Sequence, residues 1–186
     1  MTNRWHEIPP ERNVCPAISG AVPTLRTDRL VLRAPRLDDV PVRHDINLTV
    51  ADVSMRTTGR DGTWNDLMQM TATWILRGHG WWTIDNAKGA CGFVGLGFEP
   101  GDHEPELGYL LSATARGKGY ATEAAQAARD FARNTAQLHS LVSYISDSNT
   151  ASQNVASKLG AARDPEAEAA LGKDHAQVWR HWKGGA

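Results

Sequence analysis

The sequence has few cysteines and no long apolar segment. Only two of its 186 residues are cysteine, Cys15 and Cys91, and neither has a C-x-x-C partner or histidines at metal-ligand spacing. No stretch approaches the ~20 apolar residues of a membrane-spanning helix, and the first residues lack the apolar core of a signal peptide. We therefore expect no metal and no membrane contact. Two lone thiols are typical of the cytoplasm, and Cys91 is expected to be a small core residue.

An excess of charge of either sign is also missing. The formal net charge is −1, which gives no general attraction to nucleic acid, so no nucleic-acid partner is expected. Hydrophobic residues make up 41% and charged residues 22%, the balance of a globular protein, and the length suits one domain. Residues 1–23 contain four prolines without periodicity and predict an N-terminal extension. Residues 24–186 predict the folded domain.

The hydrophobic pattern of that domain mixes strand and helix periods. In chain order we expect a strand over Leu25–Arg33, helices over Val40–Val50 and Trp64–Arg77, strands over Trp81–Asp85, Cys91–Phe98 and Glu106–Ser112, a helix over Tyr120–Arg133, a strand over His139–Ile145, a helix over Ser148–Leu159 and a strand over Gln177–Trp182. The inner stripe of the second helix is predicted to comprise Leu67, Met68, Thr71, Trp74 and Ile75. No repeat and no linker divides the chain, so one α/β domain is predicted.

The most informative segment is a basic glycine loop, Arg116-Gly117-Lys118-Gly119-Tyr120-Ala121, between a strand and a helix. Glycines let the backbone approach a ligand closely. The first N–H groups of the helix lack partners within it and, with the helix dipole, form an anion site. Arg116 and Lys118 add positive charge, as a diphosphate requires. The alternative is that the glycines only shape a tight turn.

Three other nucleotide-binding motifs do not fit the sequence. A Walker loop needs G-x-x-x-x-G-K-S/T, which is absent, and no HRD-type motif follows for a kinase. A dinucleotide fold needs G-x-G-x-x-G after the first strand, and the only similar run, Gly92-Phe93-Val94-Gly95-Leu96-Gly97, lies inside a predicted strand with no helix after it. The loop at 116–121 therefore remains the candidate phosphate site.

Four segments in order resemble the GNAT N-acetyltransferase superfamily, in particular its RimJ/RimL-type branch. The segments are Thr24–Arg33, Glu106-Leu107-Gly108-Tyr109, the glycine loop with its Q/R-x-x-G-x-G/A pattern, and Asn149-Thr150-Ala151-Ser152 followed by Lys158-Leu159-Gly160. The resemblance covers residues 24–182. It implies a three-layer α/β (α+β) fold whose central mixed, mostly antiparallel sheet has a splayed opening for CoA.

The resemblance also implies acetyl-CoA as cosubstrate and assigns its contacts. By position, the implied cofactor-binding residues are Leu111, Ser112, Arg116, Gly117, Lys118, Gly119, Tyr120, Ala121 and Asn149. The loop amides would hold the pyrophosphate, and the strand ending at Leu111 and Ser112 would hold the pantetheine arm. Asn149 would contact that arm or hold the strand–helix corner.

Direct attack by an amine needs a base for the incoming ammonium and a proton for the leaving thiolate. Glu106 is the expected base, acting through water; otherwise it is an exposed strand residue or half of an ion pair. Many superfamily members have a tyrosine that acts as the general acid at the position where this chain has Ala156. In the RimJ/RimL branch Ser152 is the candidate instead, with a possible role limited to hydrogen-bonding the sulfur. Helix capping is the alternative for Ser152 and Asn149.

The acceptor is expected to be a primary amine, either a peptide or protein N-terminus or a small molecule. Asp102 and His103 are weaker candidates for the acceptor side, and Trp81 and Trp82 are expected to face opposite sides of their strand. The rival function is an acetyl-CoA-binding sensor without turnover. A monomer or a homodimer is expected.

Overall fold

A computed structural model describes residues 20–49, 59–171 and 176–184. The strands are β1 (Leu25–Arg26), β2 (Val31–Arg33), β3 (Trp81–Asn86), β4 (Gly89–Gly97), β5 (Glu106–Leu111), β6 (Ser140–Ser146), β7 (Ala162–Arg163) and β8 (Ala176–Lys183). The helices are α1 (Val40–Thr49), α2 (Gly59–Arg77), α3 (Tyr120–Asn134), α4 (Thr150–Lys158) and α5 (Pro165–Leu171). Cys15 and most of the N-terminal extension lie outside the described residues. The end of that extension docks on the domain, because Val22 is buried and Trp82 donates a hydrogen bond to the Pro23 carbonyl.

The strands form one eight-stranded sheet in the order β1-β2-β3-β4-β5-β6-β8-β7. Every neighbouring pair is antiparallel except β5 and β6, so the sheet is mixed and mostly antiparallel as expected. The predicted single strand over Leu25–Arg33 is wrong in one respect. It is a hairpin, because Thr27 N–H donates to the Leu30 carbonyl and folds β2 back on β1.

Helices cover both faces of the sheet, as the neighbouring tryptophans at the start of β3 illustrate. Trp82 is fully buried and packs edge-on against Phe131 of α3, with ring centroids 5.2 Å apart. Trp81 points the other way and lies across Gly95 and Gly108, where a Cβ at Gly108 would be 2.5 Å from the indole. It packs there with the side chains of α1 and α2. We refer to these two sides as the α3 face and the α1–α2 face.

Helix α3 lies close to the sheet because its inner side is made of alanine. Ala124, Ala125, Ala128 and Ala132 are all fully buried. Alanine keeps helix propensity high while adding little bulk, so backbone and sheet approach closely. This packing fixes the position of the first turn of α3, which directly follows the glycine loop.

Candidate active site

The glycine loop turns the chain sharply from β5 into α3. Gly117 and Gly119 have φ angles of 74° and 79°, the left-handed region that glycine adopts at low cost. The first hydrogen bond of the helix runs from Glu123 N–H to the Gly119 carbonyl, 3.1 Å. The N–H groups of Tyr120 and Ala121 therefore have no acceptor within the helix. Gly119 is the N-cap and offers no side chain to satisfy them. The loop geometry thus fits an anion.

The two basic side chains of the loop bind neutral oxygens. Arg116 donates from Nε to the Leu111 carbonyl at 3.1 Å and from its terminal nitrogens to Thr49, at the end of α1. Lys118 Nζ donates to the Thr114 carbonyl at 2.7 Å. None of these acceptors is a carboxylate, so both side chains brace the loop while their positive charges are not cancelled by these contacts. A diphosphate would experience both charges.

The β5–β6 boundary is an opening in the sheet. The two strands share a single register pair, Glu106 with Val142, and Val142 N–H donates to the Pro105 carbonyl at 3.1 Å. Further along β5, the hydrogen bond between the two strands comes from a short side chain and not from the backbone: Ser143 Oγ donates to the Leu107 carbonyl at 2.7 Å. Further still, the Tyr109 hydroxyl spans the gap and donates to the Ser152 carbonyl of α4 at 2.8 Å. The bridging groups lengthen as the strands diverge.

The edge of β5 beside the opening carries backbone groups for a ligand. Alternate residues of a strand direct N–H and C=O to the same side. Since the Pro105 and Leu107 carbonyls point toward β6, the N–H and C=O of Tyr109 and the N–H of Leu111 do so too. The β5–β6 ladder does not extend that far. An extended amide chain such as pantetheine could therefore pair with this edge as an added strand.

Ser143 is held in turn by a buried histidine. His181 Nε2 lies 3.1 Å from Ser143 Oγ, and both residues are buried. Because Ser143 gives its proton to Leu107, the neutral imidazole must carry its proton on Nε2. Burial, followed by the nearby charge of Arg129, lowers the pKa of His181 to about 4. His181 is thus a neutral hydrogen-bond donor to Ser143, whose own hydrogen bond to Leu107 spans the start of the opening.

The structure places Glu106 and Ser152 on opposite sides of the sheet. Glu106 alternates with Gly108 and Leu110 along β5, so its side chain belongs to the α1–α2 face, opposite to Tyr109. Ser152 lies in the first turn of α4, on the α3 face, and is half-buried. The opening runs between these two faces. The structure thus brings the two catalytic candidates to the same gap in the sheet from different sides.

Asn149 has a structural role in this arrangement. It is the N-cap of α4, and its side-chain oxygen accepts a hydrogen bond from Ser152 N–H at 3.1 Å. The predicted cap is therefore present at Asn149, and its contact with the pantetheine arm stays a prediction. Its cap fixes the first turn of α4 next to the opening and so fixes where Ser152 lies.

A cavity of about 220 Å³ opens on the α1–α2 face. Its polar wall includes His103, Glu104, Tyr144 and Arg180, and residues of α5 close the other side. Arg180 forms a fork with Glu104 at 2.7 and 2.8 Å and also binds Asp164. The hydrogen bond and charge of Arg180 hold the pKa of Glu104 below its usual value, although burial opposes them. Val142 pairs with both Glu106 and Arg180, so Glu106 lies two strands from Arg180, on the face of the sheet that carries the cavity.

The other residues singled out in the sequence lie near the glycine loop, in the core and beside the cavity. Ser112 follows β5 and its N–H donates to the Cys91 carbonyl, which ties the loop to β4. Cys91 is a core residue as predicted, and burial raises its thiol pKa. Asp102 accepts a hydrogen bond from Glu99 N–H in the β4–β5 loop, while His103 reaches the cavity. The sequence reasoning missed Arg29, Ser143 and His181, whose partners are 36 or more residues away in the chain.

Within residues 20–49, 59–171 and 176–184, no three His, Cys, Asp or Glu side chains are grouped as metal ligands would be. In the same ranges no helix has both the length and the apolar character needed to cross a bilayer.

Known proteins that resemble this chain are acetyltransferases. A crystal structure of an acetyltransferase from Agrobacterium tumefaciens shares 37% identity and a TM-score of 0.75, covering 87% of this chain and 95% of that one. The uncharacterized N-acetyltransferase YnaD of Bacillus subtilis is 33% identical over 64 residues, which are 34% of this chain and 38% of YnaD. The curated relative is thus matched over less than half of its length.

A further likeness concerns the fold alone. The RimL ribosomal L7/L12 alpha-N-protein acetyltransferase, solved in complex with CoA, has a TM-score of 0.64 at 20% identity, covering 85% of this chain and 96% of that one. The family model described as the acetyltransferase (GNAT) domain matches residues 29–162, which include the glycine loop and both sides of the β5–β6 opening. The chain belongs to the GNAT family of acetyl-CoA-dependent N-acetyltransferases.

Proposed function

We propose that this protein transfers the acetyl group of acetyl-CoA directly to a primary amine held on the α1–α2 face of the sheet. The observation that carries the proposal is the β5–β6 opening, which begins beside Glu106 and leads along the edge of β5 to the uncapped start of α3. In this arrangement the pyrophosphate binds the amides from Arg116 to Ala121. The pantetheine pairs with the edge of β5 at Tyr109 and Leu111, and the thioester lies near Glu106.

The acceptor reacts as a free amine. Its ammonium form first loses a proton, through water, to the Glu106 carboxylate. The amine nitrogen then attacks the thioester carbonyl carbon, and a backbone N–H beside the opening stabilises the charge on the oxygen. As the tetrahedral intermediate collapses, the C–S bond breaks and its electron pair stays on sulfur. The second proton of the amine nitrogen passes through water to the departing sulfur, which lies on the α4 side and accepts a hydrogen bond from Ser152 Oγ.

The acceptor class is a primary amine whose body lies in the cavity on the face of the sheet that carries Glu106. The motif resemblance to the RimJ/RimL branch makes peptide N-terminal α-amines the first acceptors to test. Small-molecule amines are the second group, because a cavity of about 220 Å³ accommodates a ligand of that size.

The experiment follows free thiol release from acetyl-CoA across a panel of N-terminal peptides and small amines. The wild type is expected to release CoA with at least one acceptor. Glu106→Gln is expected to lower kcat by roughly 10²-fold or more, the usual range for loss of a general base, while calorimetry finds unchanged CoA affinity. Glu106→Asp, which keeps the carboxylate, is expected to retain part of the rate.

Two results would count against this proposal. Saturable CoA binding with no thiol release for any amine would favour a sensor, the function that the absence of the family tyrosine at Ala156 also permits. Thiol release that is equal in the wild type and Glu106→Gln would remove Glu106 from the mechanism and leave the fold-level assignment standing.

A further inference from the structure

The turn between β1 and β2 contacts the first turn of α3. Arg29 Nη1 donates to the Lys118 carbonyl at 2.9 Å, and its Nε donates to Glu123 Oε2 at 2.7 Å. The Arg29 backbone N–H and the Thr27 hydroxyl both donate to Glu123 Oε1, at 2.9 and 2.5 Å. The Arg29 guanidinium also stacks on Tyr120, with its central carbon 4.9 Å from the ring centroid. The hairpin therefore holds the loop and the helix start together.

The Arg29–Lys118 hydrogen bond sets the direction of a loop amide. The Lys118 C=O and the Gly119 N–H belong to one planar trans peptide, in which these two bonds point in opposite directions. Because Lys118 C=O points to Arg29, Gly119 N–H points away from the hairpin. Arg29 Nη2 also lies within 3.3 Å of the place where a Gly119 Cβ would be, so the guanidinium packs directly behind this amide.

The same guanidinium controls the charge at the helix start. Glu123 lies in the first turn of α3, where an ionised carboxylate would repel a diphosphate bound to the loop. Burial favours the neutral acid, but hydrogen bonds from Thr27 and Arg29 and the charge of Arg29 outweigh it and lower the pKa of Glu123. The carboxylate is therefore ionised, and Arg29 compensates its charge at 2.6 Å.

We propose that Arg29 is a positioning residue for the diphosphate of acetyl-CoA: it orients the Lys118–Gly119 peptide and cancels the Glu123 charge beside the bound phosphates. The inference rests on the proposed function, since it requires the diphosphate at the glycine loop. It assigns Arg29 no contact with the reacting atoms. Its effect is confined to the nucleotide end of the cosubstrate.

Because Arg29 affects only the nucleotide end of the cosubstrate, its role can be tested with two acetyl donors. Acetyl-CoA uses the loop, whereas S-acetyl-N-acetylcysteamine carries the same thioester without phosphates. Arg29→Met is expected to raise the KM for acetyl-CoA about tenfold, the loss typical of one charge-assisted hydrogen bond, with kcat within twofold of the wild type. The kcat/KM for the short thioester should not change. Arg29→Lys, which keeps the charge but not the fork, is expected to recover part of the affinity.

Arg163 offers a matched control. It forms a fork with Glu168 at 2.7 and 2.9 Å, and its side chain is 53% exposed, against 51% for Arg29. It lies in β7, at the far edge of the sheet from the β1–β2 hairpin. Arg163→Met therefore removes an equivalent surface ion pair, and its KM for acetyl-CoA should equal that of the wild type.

The outcomes separate this inference from the function it rests on. If Arg29→Met loses activity equally with both thioesters, or matches Arg163→Met with acetyl-CoA, the positioning role is refuted while the acetyltransferase assignment stands. If the wild type itself binds no CoA in calorimetry, the proposed function fails and the inference fails with it. A selective rise in the KM for acetyl-CoA supports both.

Discussion

Acidification is expected to weaken the fold through His181, the buried histidine behind Ser143. Its pKa is about 4 in the folded protein because burial and Arg129 disfavour the charged ring, whereas an unfolded histidine titrates near 6.5. Between these values the unfolded chain binds a proton that the folded protein does not. Stability is therefore fully present above pH 6.5 and is lost as the pH falls toward 4.

The magnitude follows from the two pKa values. Between pH 7.5 and 5.0, linkage predicts a loss of about 2 kcal/mol in the free energy of unfolding from this one group. His181 is only 8% exposed, so solvent screening reduces this figure little. Carboxylates with lowered pKa values, such as Glu104 and Asp164, titrate mainly below this range. The choice of pH 5.0 as the lower limit keeps their contribution small.

Urea unfolding at pH 7.5 and 5.0 measures the effect in the wild type, in His181→Gln and in the control His139→Gln, which changes an exposed histidine. The glutamine at 181 can still donate to Ser143 but cannot take up a proton. The stability difference between the wild type and His181→Gln should shrink by about 2 kcal/mol on acidification, and His139→Gln should follow the wild type. A difference that is equal at both pH values would refute the argument.

Two further substitutions test the opening and the loop. Ser143→Ala leaves the Leu107 carbonyl and the His181 N–H without their partner, so it should cost about 1–3 kcal/mol of stability and lower kcat/KM for acetyl-CoA and for a short acetyl thioester alike. Ser146→Ala changes the last residue of β6, whose hydroxyl pairs with Ser148 Oγ and not with β5, and should lower neither rate. Equal rates in both variants would contradict the role given to Ser143. Gly119→Ala and Gly160→Ala both place a side chain at φ near 78° and should each cost about 1–2 kcal/mol, but only the first should weaken CoA binding measured by calorimetry. Equal CoA affinity in the two glycine variants would argue against a phosphate site at the loop.

The sequence predicted the order of the main elements because each carries a strong local pattern. The glycine loop, the alanine-rich α3 and the alternation of Leu30 with Leu32 all depend on neighbours in the chain. The inner stripe of α2 was only partly right, since Leu67 and Trp74 are buried but Ile75 is 66% exposed. A helical period predicts which side chains share one side of a helix, but it does not show how far along the helix that side is covered by other residues.

One missed element had a local signal. Helix α5 begins with Pro165, and Asp164 accepts a hydrogen bond from Ala167 N–H at 3.0 Å. Aspartate before proline with glutamates in the first turn is typical of a helix start. The sequence predicts no element between Leu159 and Gln177, where apolar periodicity is absent, and no residue of α5 is buried.

The contacts of Ser143 with Leu107 and of Arg29 with Lys118 had no such local signal. Ser143 reaches Leu107 only because β6 pairs with β5 through Glu106 and Val142, and Arg29 reaches Lys118 only because the first strand is a hairpin. Both contacts depend on register between distant segments, which a single sequence does not encode locally. The resemblance to a known family supplied the candidate site residues, and the fold adds the residues that position them.

Position 156, where the family resemblance leads us to expect a tyrosine, is an alanine in a packed part of the interior. Ala156 is fully buried and packs with Ile145 and Ala161 against the sheet. A tyrosine there would add an aromatic ring to a packed interior, so Ala156→Tyr is expected to cost about 1–3 kcal/mol of stability. It should also fail to raise kcat, since the side chain at position 156 packs with Ile145 and Ala161 and, among the described residues, makes no contact across the β5–β6 opening. Urea unfolding and the thiol-release assay measure both effects. A variant that folds with wild-type stability and turns over faster would mean that the site only lacks the family's acid, and that the hydroxyl of Ser152 is not its replacement.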